Sequence, residues 1–445
     1  EPTFCRSMTE CSILQDLCLS EIDDNPGGVI LEVFLVLYGF LGLATICDDY
    51  LVVSLEVLCI RWNIREDIAG ATFMAFGSAA PEIVVNAVST VKGVSGTGVG
   101  AIIGSGWIAF LMIPGACALF TSGPLEIKRR PMLRDMLFYA IALALLSAFF
   151  HDGKIQPVEA SILAGTYVVY LMVVWMAPGI RRWWRQRQGE IIASTKSFVE
   201  LVEEEKTFLE IMEVKDNKDE EDIQHFVSEV LDDVPDDSST CMGCLSKIGE
   251  CIAAPLNYLF KFTCPPCKRN SEWECLYPIT FLMSFGWVAV FSFIVSTVVE
   301  RWAHKSGLGS GFFGLFLISI GAEIPDTIQS VTVAKRGYGS MAVANSIGSQ
   351  IINICLGLGV PWALQNAIQG PVEIQDHESL QIAVWFQAGV VAFSFSLFLG
   401  HAFVLRLKKA ILHRGKGYAL IFAYIAVLCG YAAVTFSTSK RPSED

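Results

Sequence analysis

The fold is specified by two stretches of the sequence: residues 71–82 read ATFMAFGSAAPE, and residues 315–326 read LFLISIGAEIPD. Each places a glycine, three further residues, a proline and an acid in the middle of an apolar run. A proline inside a helix removes a backbone hydrogen bond and clashes with the preceding turn, and a nearby glycine loosens the same point. Each stretch therefore predicts a membrane helix that is broken beside a carboxylate.

A second signature follows each of these stretches. Residues 100–105 read GAIIGS and residues 343–349 read VANSIGS, so a Gly-Ser pair comes next in both halves of the chain. Two signatures that recur in the same order indicate an internal repeat.

The composition is typical of a membrane protein. Of the 445 residues, 53% are hydrophobic and 17% are charged, whereas a soluble domain carries roughly 25% charged residues. This excludes a disordered chain, a nucleic-acid-binding protein and an ordinary soluble enzyme. Ten apolar runs are long enough to approach the ~20 residues that cross a bilayer. They lie near residues 28–47, 68–91, 98–120, 136–150, 158–179, 277–299, 311–334, 341–366, 380–405 and 418–438.

Five of these runs precede the hydrophilic stretch 181–275 and five follow it. With an odd number of spans in each half, related halves must be inverted relative to each other. The predicted fold is an all-α polytopic membrane protein with ten transmembrane helices in two inverted five-helix repeats and broken helices at the acids. The predicted segments are an N-terminus 1–27, a first repeat 28–180, a loop 181–275, a second repeat 276–438 and a tail 439–445.

Lysine and arginine predict the orientation. If the N-terminus lies outside, the inside short loops hold thirteen of these residues and the outside loops hold four. Since Lys and Arg concentrate on the cytoplasmic side, both termini are predicted to be extracellular or lumenal. Cys5, Cys11 and Cys18 in the N-terminal segment fit such a face. The sequence leaves open whether the membrane is the plasma membrane or an endomembrane.

The net charge of −13 comes from the loop predicted to be cytoplasmic. Residues 200–237 hold sixteen acids and three bases, so this segment alone carries a charge of −13. Two Cys-x-x-Cys pairs follow, Cys241 with Cys244 and Cys264 with Cys267. Their spacing fits a zinc site, and their membrane-proximal position equally fits palmitoylation or plain thiols.

Three acids lie at the two predicted breaks: Glu82 in the first half, and Glu323 and Asp326 in the second. A lone intramembrane glutamate can be a structural hydrogen-bonded group, but three ionisable residues in matching places indicate a functional site. Carboxylates and freed backbone carbonyls are the hard oxygen ligands that calcium and magnesium require. The acids therefore predict a cation-binding site between the repeats.

Beyond these motifs, seven short segments, including 54–57 (SLEV), resemble one known family, the cation/calcium exchanger superfamily. The similarity is greatest to the potassium-dependent sodium/calcium exchangers. The other matching segments are 47–50 (CDDY), 67–75 (DIAGATFMA), 277–281 (YPITF), 333–337 (VAKRG), 341–343 (MAV) and 360–362 (VPW). The resemblance implies two inverted five-helix repeats that export calcium by alternating access, driven by sodium.

The resemblance also implies roles for individual residues. Glu82 and Asp326 would coordinate both calcium and sodium. Ser78 stands where a hydroxyl or carbonyl ligand is expected, and Ser105 and Ser349 match serines that line sodium sites. No resident cofactor is implied, and the expected partners are calcium, sodium and the lipid bilayer. The sequence leaves both a monomer and a homodimer open.

The chain departs from the family pattern at two acidic positions. Asn353 stands where potassium-dependent members carry Asp, and Glu323 stands where the family carries Ser. We hypothesise that a carboxylate has moved from 353 to 323 while the charge of the site has stayed constant. The interpretation is a calcium/sodium antiporter without potassium dependence. Proton-coupled exchange, transport of magnesium or another divalent cation, an uncoupled channel, and a transport-inactive sensor or scaffold are the alternatives.

Overall fold

The computed structural model describes residues 26–62, 72–73, 75–121, 123–196, 242–265, 267, 274–335, 339–375, 377–400 and 409–439. It contains two compact units. One comprises residues 1–172 together with 256–445, and the other comprises residues 173–255. Both predicted repeats contribute to the first unit, which contains all three predicted acids.

Within the described residues, the first half of the chain forms seven α-helices and two short strands. Their bounds are α1 Pro26–Ile46, α2 Val53–Arg61, α3 Ala75–Val91, α4 Ser95–Trp107, α5 Ile113–Phe120, β1 Leu125–Lys128, α6 Arg129–Phe149, β2 Lys154–Ile155 and α7 Pro157–Lys196. Cys47–Val52 joins α1 to α2, and Ile108–Met112 joins α4 to α5, each as a π-helical segment.

The described residues of the second half are also mainly helical. Its elements are α8 Met242–Thr263, α9 Tyr277–Ser306, α10 Ser310–Phe313, α11 Ser319–Lys335, α12 Gly339–Ile352, α13 Gly359–Gln369, β3 Val372–Glu373, α14 His377–Phe395, β4 Lys409–Leu412 and α15 Arg414–Ser439. The π-helical segments here are Gly314–Ile318, Asn353–Leu358 and Ser396–Gly400.

Nine helices within the described residues are long and apolar enough to cross a membrane. They confirm a polytopic all-α protein and correspond to nine of the ten predicted runs. The remaining run, 68–91, includes residues outside the described set, and its described helix α3 has 17 residues. The full count of ten therefore stays a prediction.

The short strands mark the two ends of the helix bundle. β1 pairs antiparallel with β4, and β2 pairs antiparallel with β3. At the β2–β3 end, Lys154 forms an ion pair with Glu373, and Ser95 Oγ donates to the Glu373 carbonyl at 2.8 Å. At the same end Gln375 Nε2 donates to the Gly93 carbonyl at 3.1 Å, Lys92 pairs with Glu300, and Arg301 pairs with Glu32. We call this end, with residues Glu32, Lys92, Lys154, Glu300 and Glu373, the Lys92 end. That this end faces the outside stays a prediction.

The sequence predicted that the prolines of the two motifs break their helices. In the structure they do not. α3 continues through Pro81, and α11 continues through Pro325. Each proline still removes the N–H that would bond to the carbonyl four residues earlier. Since Gly77 and Gly321 occupy those positions, each helix loses one internal hydrogen bond beside its acid while keeping its course.

The centre of the bundle is α4, in which all thirteen residues are buried. Glycine makes this packing feasible. A β-carbon at Gly100 would lie 2.1 Å from the Gly311 carbonyl oxygen, and one at Gly314 would lie 2.1 Å from the Thr97 carbonyl oxygen. The two repeats therefore contact each other through backbone, which places their acid-bearing helices next to the same central helix.

Candidate functional site

The structure brings the three predicted acids together. Glu82 on α3 is 3% exposed, and Glu323 on α11 is 2% exposed. Asp326 lies one turn after Glu323 and is close enough to interact electrostatically with both glutamates. Acids from two sequence-distant helices thus interact electrostatically inside the bundle.

One amide side chain, Gln350 on α12, connects several site residues. Its Nε2 donates to Glu323 Oε1 at 2.9 Å, and its Oε1 accepts from Ser105 Oγ at 3.1 Å. Asn353 Nδ2 also approaches Gln350 Oε1 at 3.5 Å. Positions 323 and 353 are therefore linked through a single intervening side chain.

The three predicted serines differ in what they contact. Ser78, Ser105 and Ser349 each donate to the carbonyl three residues earlier, at 3.2, 3.0 and 2.9 Å. Ser105 also contacts Gln350, so it belongs to the same network as Glu323. Ser78 and Ser349 lie on α3 and α12, with their hydroxyl protons directed to their own helices.

Unpartnered oxygen atoms identify where a cation would find ligands. Within the described residues, Glu82 Oε2, Asn86 Oδ1 and Asn353 Oδ1 are buried without a hydrogen-bond partner. Burying a polar atom without a partner costs about 1–3 kcal/mol, and a bound cation removes that cost. All three are oxygens, and the site therefore offers the ligand type that hard cations prefer.

The acids do not by themselves form a closed cage. Across the described ranges, no group of three or more His, Cys, Asp or Glu side chains is arranged to hold a metal ion. A complete coordination shell around a hard cation would have to include amide, hydroxyl or carbonyl oxygens.

The sequence did not single out Gln350 or Asn86 as parts of the site. Asn86 Nδ2 donates to the Gly357 carbonyl at 2.6 Å, which ties α3 to the π-helical segment after α12. Asp48, in the π-helical segment Cys47–Val52, lies within electrostatic reach of Asp326. Gln350 directly follows the Gly-Ser pair, and Asp48 belongs to the segment CDDY. Both residues therefore lie next to motifs by which the sequence could have indicated them.

The cysteine pairs are only partly described. Cys264 and Cys267 are buried, whereas Cys241 lies outside the described residues and the side chain of Cys244 is not described. The alternatives of zinc binding and acylation stay untested, as does the N-terminal segment with Cys5, Cys11 and Cys18.

Comparison with known proteins gives the family. The model of the family "Sodium/calcium exchanger protein" matches residues 32–176 and 276–431. The chain is 27% identical over 388 residues to the human protein "Sodium/potassium/calcium exchanger 5", covering 82% of this chain and 77% of the relative. It is 26% identical to the rat protein "Sodium/potassium/calcium exchanger 3", covering 92% of this chain and 84% of the relative.

A solved structure shows the same fold. The chain is similar to the H+/Ca2+ exchanger CAX with a TM-score of 0.56 and 13% sequence identity, over 92% of this chain and 86% of that one. The match to the family model covers both membrane halves and leaves out the loop between them. Because that match covers more than half of the chain, this chain belongs to the sodium/calcium exchanger protein family.

Proposed function

We propose that this protein is a cation antiporter that exchanges calcium for sodium across a membrane by alternating access, without a requirement for potassium. The family is one of transporters rather than of enzymes. The exchanged ions would bind between α3 and α11, with Glu82 and Asp326 as the charged ligands and Glu323 supplying the third carboxylate.

One observation carries this proposal: buried carboxylates from both repeats interact across the bundle. Glu82 and Glu323 are almost completely buried, and Asp326 interacts with each of them. Charges of one sign inside a membrane protein are costly unless a counter-charge joins them. A calcium ion, or sodium ions, would supply that positive charge, and exchange follows if the site opens to each side in turn.

The network around Gln350 supports the absence of potassium dependence. Asn353 provides a neutral amide where potassium-dependent relatives carry a carboxylate. Glu323 is connected to that position through Gln350, at 2.9 Å on one side and 3.5 Å on the other. The charge would thus have moved to the opposite helix of the same network, so that three carboxylates serve the central site.

Proton coupling is the second candidate. Glu323 and Asp326 lie one turn apart on α11, and both interact with Glu82. Because like charges repel strongly where water is scarce, a proton on one of them relieves the repulsion. A proton gradient could then replace a sodium gradient as the driving force.

Reconstituted protein distinguishes the two candidates. We would measure radioactive calcium uptake into proteoliposomes that carry an outward sodium gradient, an outward proton gradient or neither. The proposal expects uptake with the sodium gradient alone, and magnesium in excess should compete weakly. Uptake driven by the proton gradient alone would favour the second candidate.

The Glu82→Gln protein serves as the matched control. A non-specific leak of calcium should persist in this variant, whereas transport through the site should be lost. Uptake that is equal in all gradients, and unchanged in this variant, would contradict antiport and favour a transport-inactive role.

A further inference from the structure

We propose that Glu300 forms a second cation site at the Lys92 end, and that the Lys92 ammonium now occupies the place of an arriving cation. The inference rests on the proposed antiport function and deepens it. A hard cation, sodium or calcium, would displace Lys92 from Glu300 on its way to the central acids.

The Lys92 ammonium is held by groups that would also hold a metal cation. Its Nζ lies 3.4 Å from Glu300 Oε2 and donates a short hydrogen bond to Thr297 Oγ1. It also lies 4.3 Å from the centroid of the Phe293 ring. The Lys92 and Glu300 side chains are each only 12% exposed. The ammonium therefore sits in an enclosed set of oxygen atoms on α9.

Buried hydroxyl groups continue inward from this pair. Ser296 Oγ donates to Glu300 Oε1 at 2.7 Å, and Ser89 Oγ lies 3.4 Å from Ser296 Oγ. The hydroxyls of Thr90 and Ser292 are also buried and, within the described residues, have no hydrogen-bond partner. These unpartnered oxygens on α3 and α9 are the kind of ligand that a dehydrated cation seeks.

The spacing of these residues links Glu300 to the central site. On α3, positions 82, 86 and 89 follow a helical period and share one face, which carries Glu82, Asn86 and Ser89. On α9, Ser292, Ser296 and Glu300 are spaced four residues apart. At 1.5 Å per residue, the path from Glu82 to Lys92 covers about 15 Å. Polar side chains thus line both helices from the end of the bundle to the first acid.

Lys92 is placed so that it can leave. It directly follows the last residue of α3, and Gly93 after it has a φ of 74°. The C-terminal end of a helix dipole attracts a cation, so a displaced ammonium can stay close to the end of α3, where the Val88, Ser89 and Thr90 carbonyls accept backbone hydrogen bonds. Burial lowers the pKa of Lys92, whereas the charge and hydrogen bond of Glu300 raise it. The ammonium therefore depends on Glu300 for its stabilisation.

A structural clamp or a merely repulsive charge would behave differently from a displaceable ammonium. If the pair is only a clamp between α3 and α9, breaking it should reduce the amount of folded protein or the maximal rate, without changing cation affinity. If Lys92 only repels cations, its removal should raise affinity whether or not Glu300 is charged. Displacement requires both residues, so the effect of one depends on the other.

The test is a double-mutant cycle with Lys92→Gln, Glu300→Gln and the double variant. Sodium-driven calcium flux is measured in proteoliposomes sorted by orientation. The concentration of the transported cation, sodium or calcium, is varied on the side of the Lys92 end. Lys92→Gln should lower the KM at this face about threefold to tenfold, because the competing charge is gone. Glu300→Gln should raise KM by a similar factor, and the double variant should match Glu300→Gln. The KM at the opposite face should stay constant in all three.

Two controls accompany the cycle. Lys92→Arg keeps the positive charge and should keep the KM near that of the wild type. Lys154→Gln removes a lysine from the exposed pair with Glu373, where the two side chains are 59% and 73% exposed, and should leave KM unchanged. If Glu300→Gln yields little folded protein, Glu300→Asp replaces it, with a smaller rise in KM expected.

Three outcomes would overturn the proposal in distinguishable ways. A KM that is unchanged in Lys92→Gln, with a lower maximal rate, identifies a clamp. A double variant whose KM falls below that of Glu300→Gln identifies simple repulsion. Flux that is absent in the wild type and in every variant contradicts the proposed antiport function itself, and the second site with it.

Discussion

The acid-bearing helices of the two repeats carry the same motif in different surroundings. In α3, twelve of seventeen residues are buried, whereas in α11 only four of seventeen are. α11 turns Ile320, Ile324 and Ile328 outward, at 39%, 52% and 63% exposed, a stripe that suits contact with lipid. α3 therefore lies in the interior of the bundle, and α11 lies at its edge.

The acids differ in the same way. Glu82 Oε2 has no hydrogen-bond partner within the described residues, whereas Glu323 accepts from Gln350. Although both acids are buried, Glu82 keeps one oxygen without a partner among the described residues, whereas Glu323 belongs to a hydrogen-bond network. The matching acids therefore lie in different surroundings, and we expect substitutions in the two helices to differ in their effects.

The largest effect is expected where the halves are alike. Glu82→Gln and Asp326→Asn should each reduce calcium flux by about 100-fold or more, because a buried cation loses a charged ligand. Flux in proteoliposomes is the measurement, normalised to the amount of monodisperse protein. The exposed Glu373→Gln should behave as wild type. Near-normal flux in either site variant would remove that acid from the transport site.

The next largest effect is expected at the glycines of the two Gly-Ser signatures, which are packed differently in the two halves. A β-carbon at Gly104 would lie 2.3 Å from the Leu315 carbonyl oxygen, whereas one at the matching Gly348 meets nothing within 4 Å. Gly104→Ala should therefore destabilise the protein by about 1–3 kcal/mol or more. Gly348→Ala should be tolerated. Thermal unfolding of the two purified variants in the same detergent checks this, and equal losses would show that the halves are packed alike.

Substitution of Glu323 should have an intermediate effect on transport. Glu323→Ser should slow transport, and adding Asn353→Asp should restore part of the rate, because both positions contact Gln350 and act on one site. Flux across a range of pH separates this from a proton-sharing role. In that case the single variant mainly shifts the pH profile, and the second substitution does not rescue it. A Glu323→Ser protein equal to wild type at every pH would contradict carboxylate migration.

The smallest effect concerns potassium. Replacing potassium by choline should change sodium-driven calcium flux by less than about twofold, since Asn353 adds no charge that a third ion would neutralise. Asn353→Asp in the otherwise unchanged chain supplies the comparison, because it should make the rate sensitive to potassium. A steep, saturable potassium requirement in the wild type would show that this interpretation of Asn353 is wrong.

The membrane class, the repeat and the three acids could all be predicted from the sequence. These follow from local chemistry: apolar runs must cross a bilayer as helices because their backbone groups have no other partner there. An acid in such a run is costly wherever the chain folds. The sequence could not show that α3 and α11 run through their prolines. The loss of one hydrogen bond beside Gly77 or Gly321 breaks a helix or leaves it intact according to what packs around it.

Which polar residues act together depends on the tertiary structure alone. Gln350 joins Glu323 to Ser105 across separations of 27 and 245 residues, and Lys92 meets Glu300 across 208. No period or spacing in the chain indicates such pairs, since they depend on how the central helix α4 lets the two repeats approach. The unequal burial of α3 and α11 has the same cause. Similar motifs acquire different surroundings because the fold buries most of α3 and leaves much of α11 at the edge of the bundle.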